Sequence, residues 1–221
     1  MSIRYRMESI DPREISMPQF ERYIGIDYSG AETPFSSLKG LRVYEATADA
    51  GTEATATEVL PPPSPRKYWT RHGIAIWLLK QLTADVPTIV GIDHGFSFPV
   101  KYFEAYGLPM RWDVFLDDFA DHWPTHEEIY VDSVRHGSVG CGANRQGDAR
   151  WRRECELRSR AKSVFHFDVQ GSVAKSTHAG IPWLLFLRGH LKAVHFWPFD
   201  GWQVPEGRSV VLEAYPALPA G

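Results

Sequence analysis

The chain has 221 residues, a net charge of −3, 43% hydrophobic and 23% charged residues. That balance suits one globular domain and argues against a generally basic nucleic-acid binder. Cys141 and Cys155 are the only cysteines and form no CxxC pair, so a reducing, cytoplasmic setting is expected rather than a disulfide framework. No apolar run approaches the ~20 residues of a membrane span.

Residues 1–21 carry charges throughout and lack an apolar segment. They are expected to be a flexible N-terminal arm, not a secretory signal. Residues 22–221 are expected to form a single domain. Arg22–Tyr28 reads as a buried strand that ends on an acid, Asp27. Leu41–Thr47 reads as a second strand and Glu53–Leu60, alternating with period two, as a third. Ala48–Thr52 would be the hairpin turn, with Gly51 supplying a permissive backbone. "PPPSPRK" from Pro61 interrupts the pattern.

Arg71–Asp85 predicts a helix, with Ile74, Trp77, Leu78, Gln81 and Leu82 on one stripe. Thr88–Asp93, "TIVGID", predicts a strand covered on both faces and again ends on an acid. Strand, strand, strand, helix, strand describes a mixed α/β sheet, the beginning of an RNase H-like fold. Residues 100–160 read as a helical and loop insertion. Within it, "HGSVGCGANRQGD" (His136–Asp148) has four glycines and is expected to be a flexible loop. Arg145–Lys162 sets seven cations against three acids. Such a segment suits phosphate binding or a solvated face with internal ion pairs. "QGSVAKSTHAG" suits a substrate-contacting loop before a helix that would begin around Ile181, close to Pro182. "AVHFWPF" and "RSVVLEAYP" read as the last two strands, the second carrying Glu213.

Taken singly, each of Asp27, Asp93 and Glu213 is most simply a turn residue or a cap. All three, however, end or interrupt buried strands, where an ionised carboxylate loses hydration. They are far apart in the chain, so only strands laid side by side would gather them. A divalent cation would offset their mutual repulsion, and hard oxygen ligands select Mg²⁺ or Mn²⁺. Two such ions about 3.5–4 Å apart can activate water and stabilise the leaving oxygen in phosphodiester cleavage.

The segments "YIGIDYSGA", "IVGIDHGFSFP", "GSVAKSTHAGIPWLLFLR", "FWPFDGW" and "VVLEAYPAL" together resemble the family named domain of unknown function 429. Its members are predicted RNase H-like nucleases, distantly similar to the RuvC resolvases. The resemblance covers about Tyr23–Leu218 and rests on the order of the motifs. It implies an RNase H-like mixed sheet flanked by helices. It also implies a metal-dependent site in which Asp27, Asp93 and Glu213 are catalytic and hold Mg²⁺ or Mn²⁺. The expected activity is hydrolysis of phosphodiester bonds in DNA or RNA. Ser29, Arg152, Arg153, Ser172 and Lys175 are the expected substrate contacts. The sequence departs from the RNase H-like pattern at its end. A further acid on a helix after the last strand is usual there, and the chain reaches Gly221 eight residues past Glu213. The C-terminal helix is therefore expected to be missing, with Asp168 or Asp200 as substitutes. The alternative reading is a catalytically inactive module of the same fold that binds nucleic acid or a protein partner.

Overall fold

A computed structural model describes residues 19–48, 55–62 and 67–215. Its strands are β1 (Arg22–Asp27), β2 (Arg42–Thr47), β3 (Thr57–Val59), β4 (Thr88–Ile92), β5 (His195–Trp197) and β6 (Val210–Glu213). They form one six-stranded mixed sheet in the order β3-β2-β1-β4-β6-β5. β1, β4, β6 and β5 pair in parallel, and β2 pairs antiparallel with both β1 and β3. Part of the expected hairpin turn between β2 and β3, and the first part of the third expected strand, lie outside the described residues.

The register follows from the side chains. Ile24 pairs with Val90 and Val90 with Val211; Ile26 pairs with Ile92 and Ile92 with Glu213. Ile24, Ile26, Val90, Ile92 and Val211 are buried. Strand side chains alternate between faces, so these residues define one covered face. On β1 the other face is exposed at Tyr23, Gly25 and Asp27. Each fully buried aliphatic side chain contributes roughly 1.5–3 kcal/mol, which makes slippage of the register by one residue costly.

Six helices follow in order: α1 (Arg71–Leu82), α2 (Val100–Tyr106), α3 (Trp112–His122), α4 (Val131–Arg135), α5 (Glu154–Arg158) and α6 (Ala174–His190). Among the described residues, no helix is long and apolar enough to cross a membrane. α1 and α6 pack on one another, and α3 packs on α6. The N-terminus of α1 is capped by Thr70, whose hydroxyl accepts from the Gly73 N–H at 2.9 Å. The helix stops three residues short of the expected Asp85. There Thr83 Oγ1 donates to the Leu79 and Lys80 carbonyls.

Two expectations about the second half need correction. The helix expected around Ile181 begins seven residues earlier, at Ala174, and Pro182 lies inside it. Proline has no N–H to give the carbonyl four residues back. Thr125 Oγ1 supplies the missing donor, reaching His178 O at 2.6 Å. The glycine-rich stretch His136–Asp148 is also not a loose loop. Gly142, in a 3₁₀ turn (Gly142–Arg145), sits against Trp123 and Val134, where an added Cβ would lie 2.5 Å from Val134 Cγ1. At Gly147 an added Cβ would lie 2.3 Å from the Phe165 ring. These glycines admit bulky neighbours. The insertion packs into an aromatic part of the common core, where Phe98, Phe119, Trp123, Phe165 and Phe167 surround the His178 ring.

Candidate active site at the strand ends

Asp27 closes β1, Asp93 follows β4 directly, and Glu213 closes β6. These three strands are parallel neighbours, so the acids share the sheet's C-terminal edge. The chain leaves β1 toward β2 on one side and continues from β4 to β5, then β6, on the other. The β1–β4 boundary is thus the switch point at which open α/β sheets place their ligands.

The end of β4 is held firmly. The Asp93 N–H donates to Ile26 O at 2.9 Å, extending the β1–β4 ladder past the strand. His94 is buried against Gly180 of α6, where an added Cβ would lie 2.4 Å from the ring. The Gly95 carbonyl accepts from His94 Nδ1 at 2.9 Å, and the Gly95 N–H donates to Thr177 Oγ1 at 2.8 Å. Burial pushes the His94 imidazole down to about 4, so near neutral pH the ring is uncharged and Nδ1 carries the proton.

The loop after Asp27 is held from below by Arg71. This fully buried guanidinium donates to the carbonyls of Ser29 (3.1 Å), Ala31 (2.6 Å) and Glu32 (2.8 Å). Gly30 touches the first turn of α6. A Cβ there would lie 2.1 Å from the Lys175 carbonyl carbon, so Ser29 and the Lys175 backbone are brought together. Arg71 and Gly30 are site-building residues that the sequence reading missed. An arginine in the first turn of an apolar helix was the available signal, but nothing local distinguishes it from a surface charge.

The electrostatics divide the three acids. Among the described residues, no hydrogen bond to the Asp27 or Asp93 carboxylate is found. Burial, then the nearby charge of Asp27, then that of Glu213, raise the Asp93 carboxyl above its ordinary range. Glu213 is fully engaged. Its Oε1 accepts from Arg153 Nη2 at 2.8 Å, and its Oε2 accepts from Arg153 Nη1 at 2.7 Å and from the Phe96 N–H at 3.0 Å.

Strand parity and the Arg153 clasp together make the difference. Glu213 shares the face of Val211, whereas Asp27 shares that of Tyr23 and Gly25. Accordingly, among the described residues no three His, Cys, Asp or Glu side chains converge closely enough to hold a metal ion. Asp27 and Asp93, side by side with no hydrogen-bonding partner among the described residues, fit a divalent cation. Glu213, as it lies against Arg153, has no oxygen to spare.

The expected substrate contacts separate in the same way. Arg152 is exposed, with no hydrogen-bond partner among the described residues. Arg153 is held between Glu213 and Glu156, its side chain 12% exposed. Burial alone would lower its guanidinium, but the Glu213 carboxylate and then Glu156 raise it. Lys175 pairs with Asp132 of α4 at 2.5 Å. Ser172 Oγ accepts from the Ala174 N–H at 3.1 Å, and Ser29 Oγ from the Ala31 N–H at 3.3 Å. Neither substitute acid joins the cluster. Asp168 pairs with Arg135, while Asp200 pairs with Arg188 and accepts from the Phe196 N–H. Most of the basic run is likewise paired, Arg145 with Asp118, Arg150 with Asp148 and Arg158 with Glu154.

No family model matches this chain, and comparisons with curated proteins and with solved structures return no match.

Proposed function

We propose that the protein is a divalent-metal-dependent phosphodiesterase of RNase H-like fold, acting on nucleic acid with Mg²⁺ or Mn²⁺ held by Asp27 and Asp93. The observation that carries this reading is the pair of adjacent strand-end carboxylates at the sheet's switch point, without hydrogen-bond partners among the described residues. The strand–strand–strand–helix–strand order of the first half supports the RNase H-like assignment, as does the motif resemblance over Tyr23–Leu218.

A divalent cation, when bound, supplies Lewis-acid activation of water and charge stabilisation at the phosphoryl group. The chain's own residues do the positioning. The Asp93 N–H bond to Ile26 O fixes the spacing of the two acids. Arg71 orders the loop that follows Asp27. Arg152 offers an exposed charge to a phosphate. Asp27→Asn and Asp93→Asn, each removing one anionic ligand, abolish Mn²⁺-dependent cleavage of labelled single- and double-stranded DNA and RNA while leaving the circular dichroism spectrum unchanged. Full activity in both variants refutes the assignment.

One observation favours the alternative, an inactive module of the same fold that binds nucleic acid or a protein. Glu213 is neutralised by Arg153. Binding of the same oligonucleotides with no cleavage in either Mg²⁺ or Mn²⁺ decides for that reading.

A further inference from the structure

The Arg153 guanidinium lies between two carboxylates of different origin. Glu156, 2% exposed and three residues on, accepts from the Arg153 N–H at 2.9 Å and from its Nε at 2.8 Å. That contact lies within one short segment and fixes the guanidinium whatever else happens. Glu213 comes from the sheet and meets the other edge of the fork at 2.7 and 2.8 Å. A planar fork on a carboxylate is the geometry arginine matches best. It occupies both oxygens, and Phe96 N–H fixes the rotamer. Yet Glu213 is 27% exposed and lies close enough to Asp93 for its charge to be felt there.

Resting on the metal-site reading above, we infer that Arg153 is a positioning residue that withholds Glu213 from the cation held by Asp27 and Asp93. The pull is electrostatic: with Arg153 in place Glu213 already has a unit positive charge at hydrogen-bond distance. With Arg153 removed, only the Phe96 N–H still holds the Glu213 carboxylate, and a cation at the neighbouring strand ends competes for its charge. The cation affinity of the strand-end pair is therefore set from the insertion, by a residue that need not touch the cation.

The test is Mn²⁺ affinity, measured calorimetrically on the full chain without substrate. Arg153→Gln tightens Mn²⁺ binding about tenfold, the scale on which residues supporting a metal's ligands act. Adding Glu213→Gln to that variant returns the affinity to the wild-type value. Arg153→Lys keeps the charge and loses the fork, and gives an intermediate gain; it carries the test if Arg153→Gln does not fold. Unchanged or weaker Mn²⁺ binding in the folded Arg153 variants overturns the inference. If Asp93→Asn loses the wild-type binding in that same experiment, the metal-site reading still stands. No Mn²⁺ bound by the wild type or by any Arg153 variant overturns both.

Discussion

Asp27 with Asp93, and Glu213 with Arg153, occupy the same edge of the same sheet, yet their charges are treated in opposite ways. The first pair has two adjacent carboxylates and no cation beside them among the described residues. The second has a carboxylate whose oxygens are both matched by a guanidinium, itself held by a further carboxylate. The chemistry of a strand-end acid is thus decided by what the rest of the chain brings to it. Parity turns Glu213 toward the covered face, and the insertion supplies Arg153 there. Asp27 faces the other way.

The sharpest way to break this contrast is to cut the clasp at its buried end. Glu156→Ala leaves the Arg153 charge half-compensated in a site where Glu156 is 2% exposed. Removing one partner of a buried ion pair costs about 3–5 kcal/mol. Two residues away, the Glu154–Arg158 pair is exposed on both sides, and Glu154→Ala costs no more than ~0.5 kcal/mol. Urea denaturation of the two variants measures the difference; equal costs would mean that Arg153 is solvated and the clasp ornamental.

A second variant tests the other region. Gly30→Ala puts a methyl group 2.1 Å from the Lys175 backbone. The loop after Asp27 or the start of α6 must move, at a cost of about 1–3 kcal/mol. Because Arg71 holds the same loop through three carbonyls, the strain is transmitted to Asp27. Mn²⁺ affinity falls together with stability. A drop in stability with unchanged Mn²⁺ affinity would show that the loop does not position Asp27.

Much of the sheet was legible in the sequence, because its strands are short apolar runs bounded by turn residues. The positions of Asp27 and Asp93 at strand ends are legible in the two "GID" segments, whereas Glu213, expected inside a strand, instead closes β6. Their separation into a pair and a clasped single acid was not legible. It depends on which face of β6 position 213 takes and on Arg153, sixty residues earlier in the chain, reaching that face. "RRECE" shows two adjacent arginines, and nothing local says that Arg152 is exposed while Arg153 is largely covered. The start of α6 was misplaced for a similar reason. Pro182 is a stop or start signal in isolation, and its tolerance inside the helix comes from Thr125, a residue more than fifty positions away. The glycines of the insertion read as flexibility because the rings they accommodate, Trp123 and Phe165, are remote in sequence.

The smallest expected effect has the opposite sign from the others. The Asp93 carboxyl is raised by burial first, then by Asp27 and Glu213. A group whose folded value lies above its unfolded value favours the fold while protonated, and that contribution is lost as pH rises through the folded value. At neutral pH Asp93 is therefore a liability to the fold, and Asp93→Asn, which cannot ionise, melts at a higher temperature than the wild type. The gain shrinks as pH falls through the raised Asp93 value and vanishes below the ordinary aspartate range near ~4. Titrating groups away from the acids, such as His178, which burial pushes down to about 3, act equally in both proteins and cancel in the comparison. Thermal melts of the two at pH 7 and at pH 4, without divalent cations, make the measurement. Adding Mn²⁺ at pH 7 then raises the wild-type melting temperature alone, since only the wild type keeps both ligands. A wild type that is the more stable protein at pH 7 without metal would mean that Asp93 already has a partner. The contrast between the two ends of the acidic edge would then be lost.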